Sequence, residues 1–136
     1  MATRVISLLA LTITLGWCAG CGGGSSSGNT AHLQGAVTLA GQALPADVEA
    51  SILFRPTQSG QGKTVSVPIV NGRYDSPETP TGSIKAFFTI QQPTGRVFDN
   101  DRGAPIQERK SLVPDKYGTG LDLTESDDND AQNVEL

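Results

Sequence analysis

Ile84-Lys85-Ala86-Phe87-Phe88-Thr89-Ile90 decides the fold. Ile84, Ala86, Phe88 and Ile90 recur every second residue, with Phe87 on the opposite side. A period of two is that of a strand with one buried face; a helix would repeat every 3.6 residues. Working upstream, Val65, Val67 and Ile69 alternate in the same way, and Pro68 within that run cannot donate a ladder hydrogen bond, which predicts an edge strand. Asn71-Gly72 then predicts a two-residue hairpin, because both residues tolerate positive φ, with Arg73-Tyr74-Asp75 returning from it. Further upstream, Val48, Ala50, Ile52 and Phe54 share a face opposite Glu49, Ser51 and Arg55, and Pro56 with the loop 58–63 ends that run. Leu33, Gly35, Val37 and Leu39 do the same opposite Gln34, Ala36, Thr38 and Ala40, before a turn at Gly41-Gln42.

Downstream the pattern is less regular. Pro77 to Gly82 reads as a turn, Pro93 to Gly103 as a polar loop, and Ile106 to Leu112 as a helical turn. Val134 and Leu136 suggest a closing strand. With no long amphipathic helix and no βαβ unit, the expected fold is all-β: an antiparallel two-sheet sandwich of about seven strands.

The amino-terminal region reads as an address. Arg4 precedes an apolar run from Val5 to Trp17, too short to span a bilayer but suited to a signal-peptide core. Ala19-Gly20-Cys21 resembles the end of a bacterial lipobox, with Cys18 where Leu is usual. The resemblance implies diacylglycerol on the Cys21 sulfur, cleavage before Cys21 and acylation of the new amine. The alternatives are an ordinary secretory leader with Cys21 as a bystander, and a redox pair formed by Cys18 and Cys21. The redox pair needs a strand-to-helix junction that this leader does not offer. The Gly/Ser run from Gly22 to Gly28 is a flexible coil with a root-mean-square reach of about 15–20 Å over roughly ten residues. The expected organisation is a leader over residues 1–20, a lipidated cysteine and tether over 21–31, and a sandwich over 32–136. Gly22, in place of the Asp that retains lipoproteins in the inner membrane, favours the outer membrane facing the periplasm.

Leu33-Gln34-Gly35-Ala36-Val37, Gly41-Gln42-Ala43-Leu44-Pro45 and Val48 to Pro56 resemble the opening of the carboxypeptidase regulatory-like, or transthyretin-like (prealbumin-like), sandwich. Asn71-Gly72-Arg73-Tyr74 resembles its next hairpin, and Pro80-Thr81-Gly82-Ser83-Ile84 its entry to a buried strand, with Ile84 in place of an aromatic. Val113-Pro114-Asp115-Lys116-Tyr117, Gly120-Leu121 and Asn133 to Leu136 are similar to small bacterial lipoproteins built on that domain. The resemblance implies a fold and a location at the cell envelope, not a reaction.

The charge and composition narrow the chemistry. The formal net charge is −4, one unit more negative without Arg4, and no basic stripe is present, which excludes nucleic acid as a partner. Both cysteines lie in the first 21 residues, so none is left for a disulfide framework, a zinc site or a thiol nucleophile. His32 is the single histidine, and no nucleophile elbow accompanies it. Asp99 to Gly103 fails the EF-hand spacing, with Ala104 and Lys110 where Gly and Glu are needed. Asp127-Asp128-Asn129-Asp130 offers oxygen ligands for calcium but also suits a turn before the last strand, and the turn is the expectation. Acids are expected mostly in loops or on outward strand faces, with no pair marked for glycoside hydrolysis. Phe87, Phe98 and Tyr117 could form an aromatic platform for a sugar or protein, against their more usual role as packing.

The expected function is that of a non-catalytic, lipid-anchored envelope sandwich with a structural or protein-interaction role. A carbohydrate-binding module is the alternative, and an envelope hydrolase a further one. The expected site residue is Cys21, the lipidation site; no catalytic, metal or cofactor-binding residue is assigned and no cofactor is expected. The expected partners are the membrane through the lipid, and an envelope protein or a glycan.

Overall fold

The computed structural model describes residues 28–129 and 131–136. Nine strands follow one another: β1 (Thr30–Leu39), β2 (Gln42–Ala43), β3 (Glu49–Pro56), β4 (Val65–Pro68), β5 (Arg73–Pro80), β6 (Gly82–Asp99), β7 (Pro105–Ser111), β8 (Leu121–Glu125) and β9 (Val134–Glu135). Seven of them have four residues or more. One 3₁₀ turn, Asp115–Tyr117, is the sole helical element among the described residues.

The strands form two layers, as expected of an all-β sandwich. In the smaller sheet β1 lies between β5 and β9, with β2 beside its far end. The larger sheet runs β4-β3-β6-β7, with β8 also on β6. Because β3 takes one edge of β6 from Ile84 to Gln91, β8 and β7 follow each other along the opposite edge. Alternation works as read: Leu33 and Val37 from β1, Ile52 and Phe54 from β3, and Ile84, Ala86, Phe88 and Ile90 from β6 meet between the sheets. Phe54 packs on Tyr74 with ring centroids 5.8 Å apart. Removing such side chains from water is worth roughly 1.5–3 kcal/mol each, which is what holds the layers face to face.

The Pro68 strand is an edge, as predicted. Asn71 (φ 51°) and Gly72 (φ 73°) form the expected positive-φ turn, closed by reciprocal Val70–Arg73 backbone bonds of 2.8 and 3.0 Å. The two strands it joins part at once, β4 into the larger sheet and β5 into the smaller, so the turn is a crossing between layers rather than a long hairpin. The closing strand is present as β9, parallel to β1, with Val37 opposite Val134.

Four local expectations are corrected. The first turn is Ala40-Gly41, one residue earlier than Gly41-Gln42, because pairing Leu39 with Gln42 leaves two residues at φ 47° and 74°. Pro77 to Gly82 is not a turn: β5 continues to Pro80, with Pro77 and Glu78 forming a bulge between the Leu33–Ser76 and Ala31–Thr79 pairs, where no N–H is required. Pro93 to Gly103 is not a loop but the second half of β6 and a tight tip, and Ile106 to Leu112 is not helical but falls mostly in strand β7. Pairing of Val97, Phe98 and Asp99 with Gln107, Ile106 and Pro105 supplies the ladder that a helix would otherwise need.

Candidate functional site

Cys21, the leader over residues 1–20 and the Gly/Ser run to Ser27 lie outside the described residues. The described chain joins the domain at Asn29, whose carbonyl accepts bonds from the Thr81 N–H (3.1 Å) and Oγ1–H (3.0 Å) beside the start of β6.

His32 and Gln34 point outward from β1 and flank Asp75, which pairs with Gln34 across the β1–β5 ladder. His32 Nε2 lies 2.6 Å from Asp75 Oδ1 and 3.0 Å from Gln34 Nε2. One ring nitrogen can serve only one of these at a time: carrying a proton it donates to Asp75, and without it accepts from the Gln34 amide. Among the described residues no hydroxyl or thiol is hydrogen-bonded to the His32 ring. A shallow cleft of about 350 Å³, lined by Gln34, Pro68, Val70, Arg73, Tyr74 and Asp75, adjoins this pair.

The acidic tract before β9 is built as a turn. Asp128 Oδ1 accepts from the His32 N–H at 2.7 Å, Asn129 Oδ1 from the Ala131 N–H at 3.0 Å, and Asp127 Oδ2 from the Ser126 hydroxyl at 2.8 Å. Asp130 lies outside the described residues. From here the chain runs along the open edge of β1. The Gln34 N–H donates to Asn129 O (2.8 Å), the Gln132 N–H to Gln34 O (2.9 Å) and the Ala36 N–H to Asn133 Oδ1 (2.8 Å). The edge of β1 is thus covered by a strap, mostly by backbone groups, with side-chain oxygens of Asp128 and Asn133 taking the His32 and Ala36 N–H groups.

Beneath the strap lies a polar cluster that the sequence reading missed. Glu125 is only 7 % exposed, an exception to the expectation that the acids sit mostly in loops or face outward. The signal was present: Leu121, Leu123 and Glu125 share one parity, so a strand that turns its leucines inward turns Glu125 inward too. Burial pushes its carboxyl above the usual carboxylate range, and a hydrogen bond with the Asn129 side chain works the other way. The buried Tyr74 hydroxyl donates to Gln132 O at 2.7 Å. Burial, and then the Glu125 charge, push the Tyr74 phenol up to about 12, so it stays a donor. Ser76 and Thr79, both fully buried, satisfy each other at 2.6 Å.

The three aromatics do not assemble into a platform. Phe87 lies under the Arg55 guanidinium, 4.6 Å from its ring centroid. Tyr117 packs against the core and donates to Glu135 O at 2.8 Å. Phe98 stands half exposed far along β6. There, past Gln91, β6 has only β7 as a partner, and residues 92–99 with 105–111 form a two-stranded arm with nearly every residue exposed. The Asp99–Gly103 segment is its tip, folded by Asn100 Oδ1 accepting from the N–H groups of Arg102 and Ala104, each at 2.9 Å.

No protein-family model, curated protein or solved structure matches this chain.

Proposed function

We propose that this chain is a lipid-anchored protein of the bacterial cell envelope, whose sandwich serves a structural or protein-interaction role without catalysis. The observation that carries the reading is Ala19-Gly20-Cys21 between an apolar leader and the Gly/Ser run to Gly28. A chain of that order is exported, acquires acyl groups at Cys21 and is held by more than one of them; a single chain binds only marginally. Two features support it. β1 begins at Thr30, so the tether leads straight into the domain. The chain has a net charge of −4, which gives no electrostatic hold on an anionic bilayer and leaves the work to a covalent anchor. Gly22 after the cysteine favours the outer membrane, and the resemblance to the transthyretin-like family supports reading the sandwich as an envelope accessory domain.

The test is Cys21→Ser in the whole chain, expressed in a Gram-negative host. The wild type is expected to incorporate labelled fatty acid and to stay with the membranes through a high-salt wash, and the variant to do neither. Equal membrane retention of the two chains would overturn the anchor.

A further inference from the structure

The β6–β7 arm is the part of the molecule that its own fold leaves unfinished. Two-stranded ribbons are marginal in water unless something packs on them. This one carries Val97, Phe98 and Ile106 at 61, 50 and 45 % exposure. Phe98 and Ile106 are directly paired and therefore share a face. The outer edge of β7 has no strand beside it among the described residues. Such edges invite another strand unless they are blunted.

Two occupants of different chemistry suit an apolar arm: a bilayer and another protein edge. Charge decides between them. Arg96, Arg102 and Lys110 are balanced on the arm by Asp99, Asp101 and Glu108, and Arg109 is engaged by Glu49 of β3. The arm therefore has no net attraction for anionic headgroups. Its sequence is instead complementary to itself. An antiparallel pairing of two β7 strands about a two-fold axis at Arg109 sets Glu108 of each copy opposite Lys110 of the other, twice. Gln107 falls opposite Ser111, and Ile106 opposite Leu112. The apolar tip of one arm thus meets the apolar root of the other. The two arginines at the axis are each already paired with their own Glu49, whose carboxyl Arg109 holds below its usual range, so they do not meet as bare charges.

We propose that β7 is a homodimer edge, and that the partner of this domain is a second copy of the same chain, joined through Gln107–Ser111. The inference rests on the reading of the domain as an interaction module, but not on the lipid. It is compatible with the lipid: the axis stands perpendicular to the larger sheet, so the two tethers start from opposite ends of the dimer but from one face, that of the two smaller sheets. The pairing is isologous and short, so the dimer is weak and favoured by confinement on a surface.

The experiment is oxidative cross-linking of Arg109→Cys in the whole chain in its membranes. Lys63→Cys, exposed on a loop near the tether end of the domain, and the wild type, with Cys18 and Cys21, serve as controls. A disulfide-linked dimer is expected at position 109 and not at 63, since residues facing each other across an antiparallel pair lie within disulfide reach. In sedimentation of the detergent-solubilised chain, Lys110→Glu should weaken dimerisation by roughly tenfold, because two opposite-charge pairs become like-charge pairs. The double exchange Glu108→Lys with Lys110→Glu should restore it. Lys110 is exposed and Glu108 half-buried beside the Thr94 hydroxyl, and an unchanged melting temperature shows that each variant folds. Cross-linking at 109 no greater than at 63, or a double exchange no better than the single one, overturns the proposal. Either result leaves the fatty-acid labelling of Cys21 as the separate test of the anchor.

Discussion

Gly35→Ala should be among the most damaging single-methyl additions to this domain. A Cβ at Gly35 would stand 2.0 Å from the Gln132 carbonyl oxygen and 2.6 Å from its carbon, both backbone atoms. Ordinary contact begins at 3.4 Å, so the strap must retreat by about 1.4 Å. That movement takes Gln132 O away from the Tyr74 hydroxyl, now 2.7 Å distant, and loosens the Gln132 N–H bond to Gln34 O. Forcing a methyl into a filled interior costs about 1–3 kcal/mol. Leaving the buried hydroxyl without its acceptor adds about 1–3 kcal/mol, against a gain of about 0.5–1 kcal/mol from a stiffer unfolded chain. The expected net loss is about 3 kcal/mol, or a fall in Tm of roughly 10–20 °C for a domain of this size. Urea unfolding followed by far-ultraviolet circular dichroism measures it, with an unchanged m-value showing that the same surface is exposed. Tyr74→Phe alone should cost about 1 kcal/mol, and should cost almost nothing in the Gly35→Ala background, where the bond is already lost. A Gly35→Ala chain within about 0.5 kcal/mol of wild type, or a double variant whose losses simply add, would refute the reasoning.

Glu125→Gln should stabilise the domain at neutral pH. Its folded-state pKa is raised, so between the unfolded value near 4.5 and the raised value the native state binds more protons, and stability falls as pH rises through that window. Urea midpoints at pH 4 and pH 8 should differ less for the glutamine variant than for wild type; equal pH slopes would show that Glu125 is not the group responsible. Tyr74, raised to about 12, contributes stability that is complete below pH 10 and is lost between pH 10 and about 12. Absorbance titration at alkaline pH should show one of the two tyrosines ionising only near that upper limit or on unfolding, and Tyr74→Phe should abolish that late step. Ala40, held at φ 47° in the first turn, costs about 1–2 kcal/mol relative to a residue at ease there, so Ala40→Gly should raise stability by about 0.5–1 kcal/mol after the entropy of glycine is allowed for. Loss of stability on that change would mean that the turn is not strained.

The strands that face the core on one side were legible, because burial writes a period of two into β1, β3, β4 and the first half of β6. Pro68 and Asn71-Gly72 were legible for a different reason: each restricts the backbone whatever surrounds it. The arm was not legible, since a ribbon exposed on both faces has no burial to record, and Pro93, Gly95 and the mixed charges after them read as loop. Pro77 misled because a proline that breaks a regular ladder is harmless in a bulge. Glu125 was overlooked through a preference for exposed acids, although its parity with Leu121 and Leu123 placed it inside. Of the candidate site, Cys21 comes from the leader pattern alone, whereas the pairing of His32 with Asp75 depends on a register between β1 and β5 that only the fold supplies.

The strap has a consequence for how the chain reaches its final form. A ribosome delivers residues 30–39 well before their partners in the strap and β9, with Val37 opposite Val134 as a late contact. Until those residues arrive, one flank of the central strand stays bare and the Gln132 carbonyl is missing from above Tyr74. Assembly from such distant pieces is slow. A central strand that waits for a flank so far down the chain leaves everything before it loose, and so threadable, until that flank has been made.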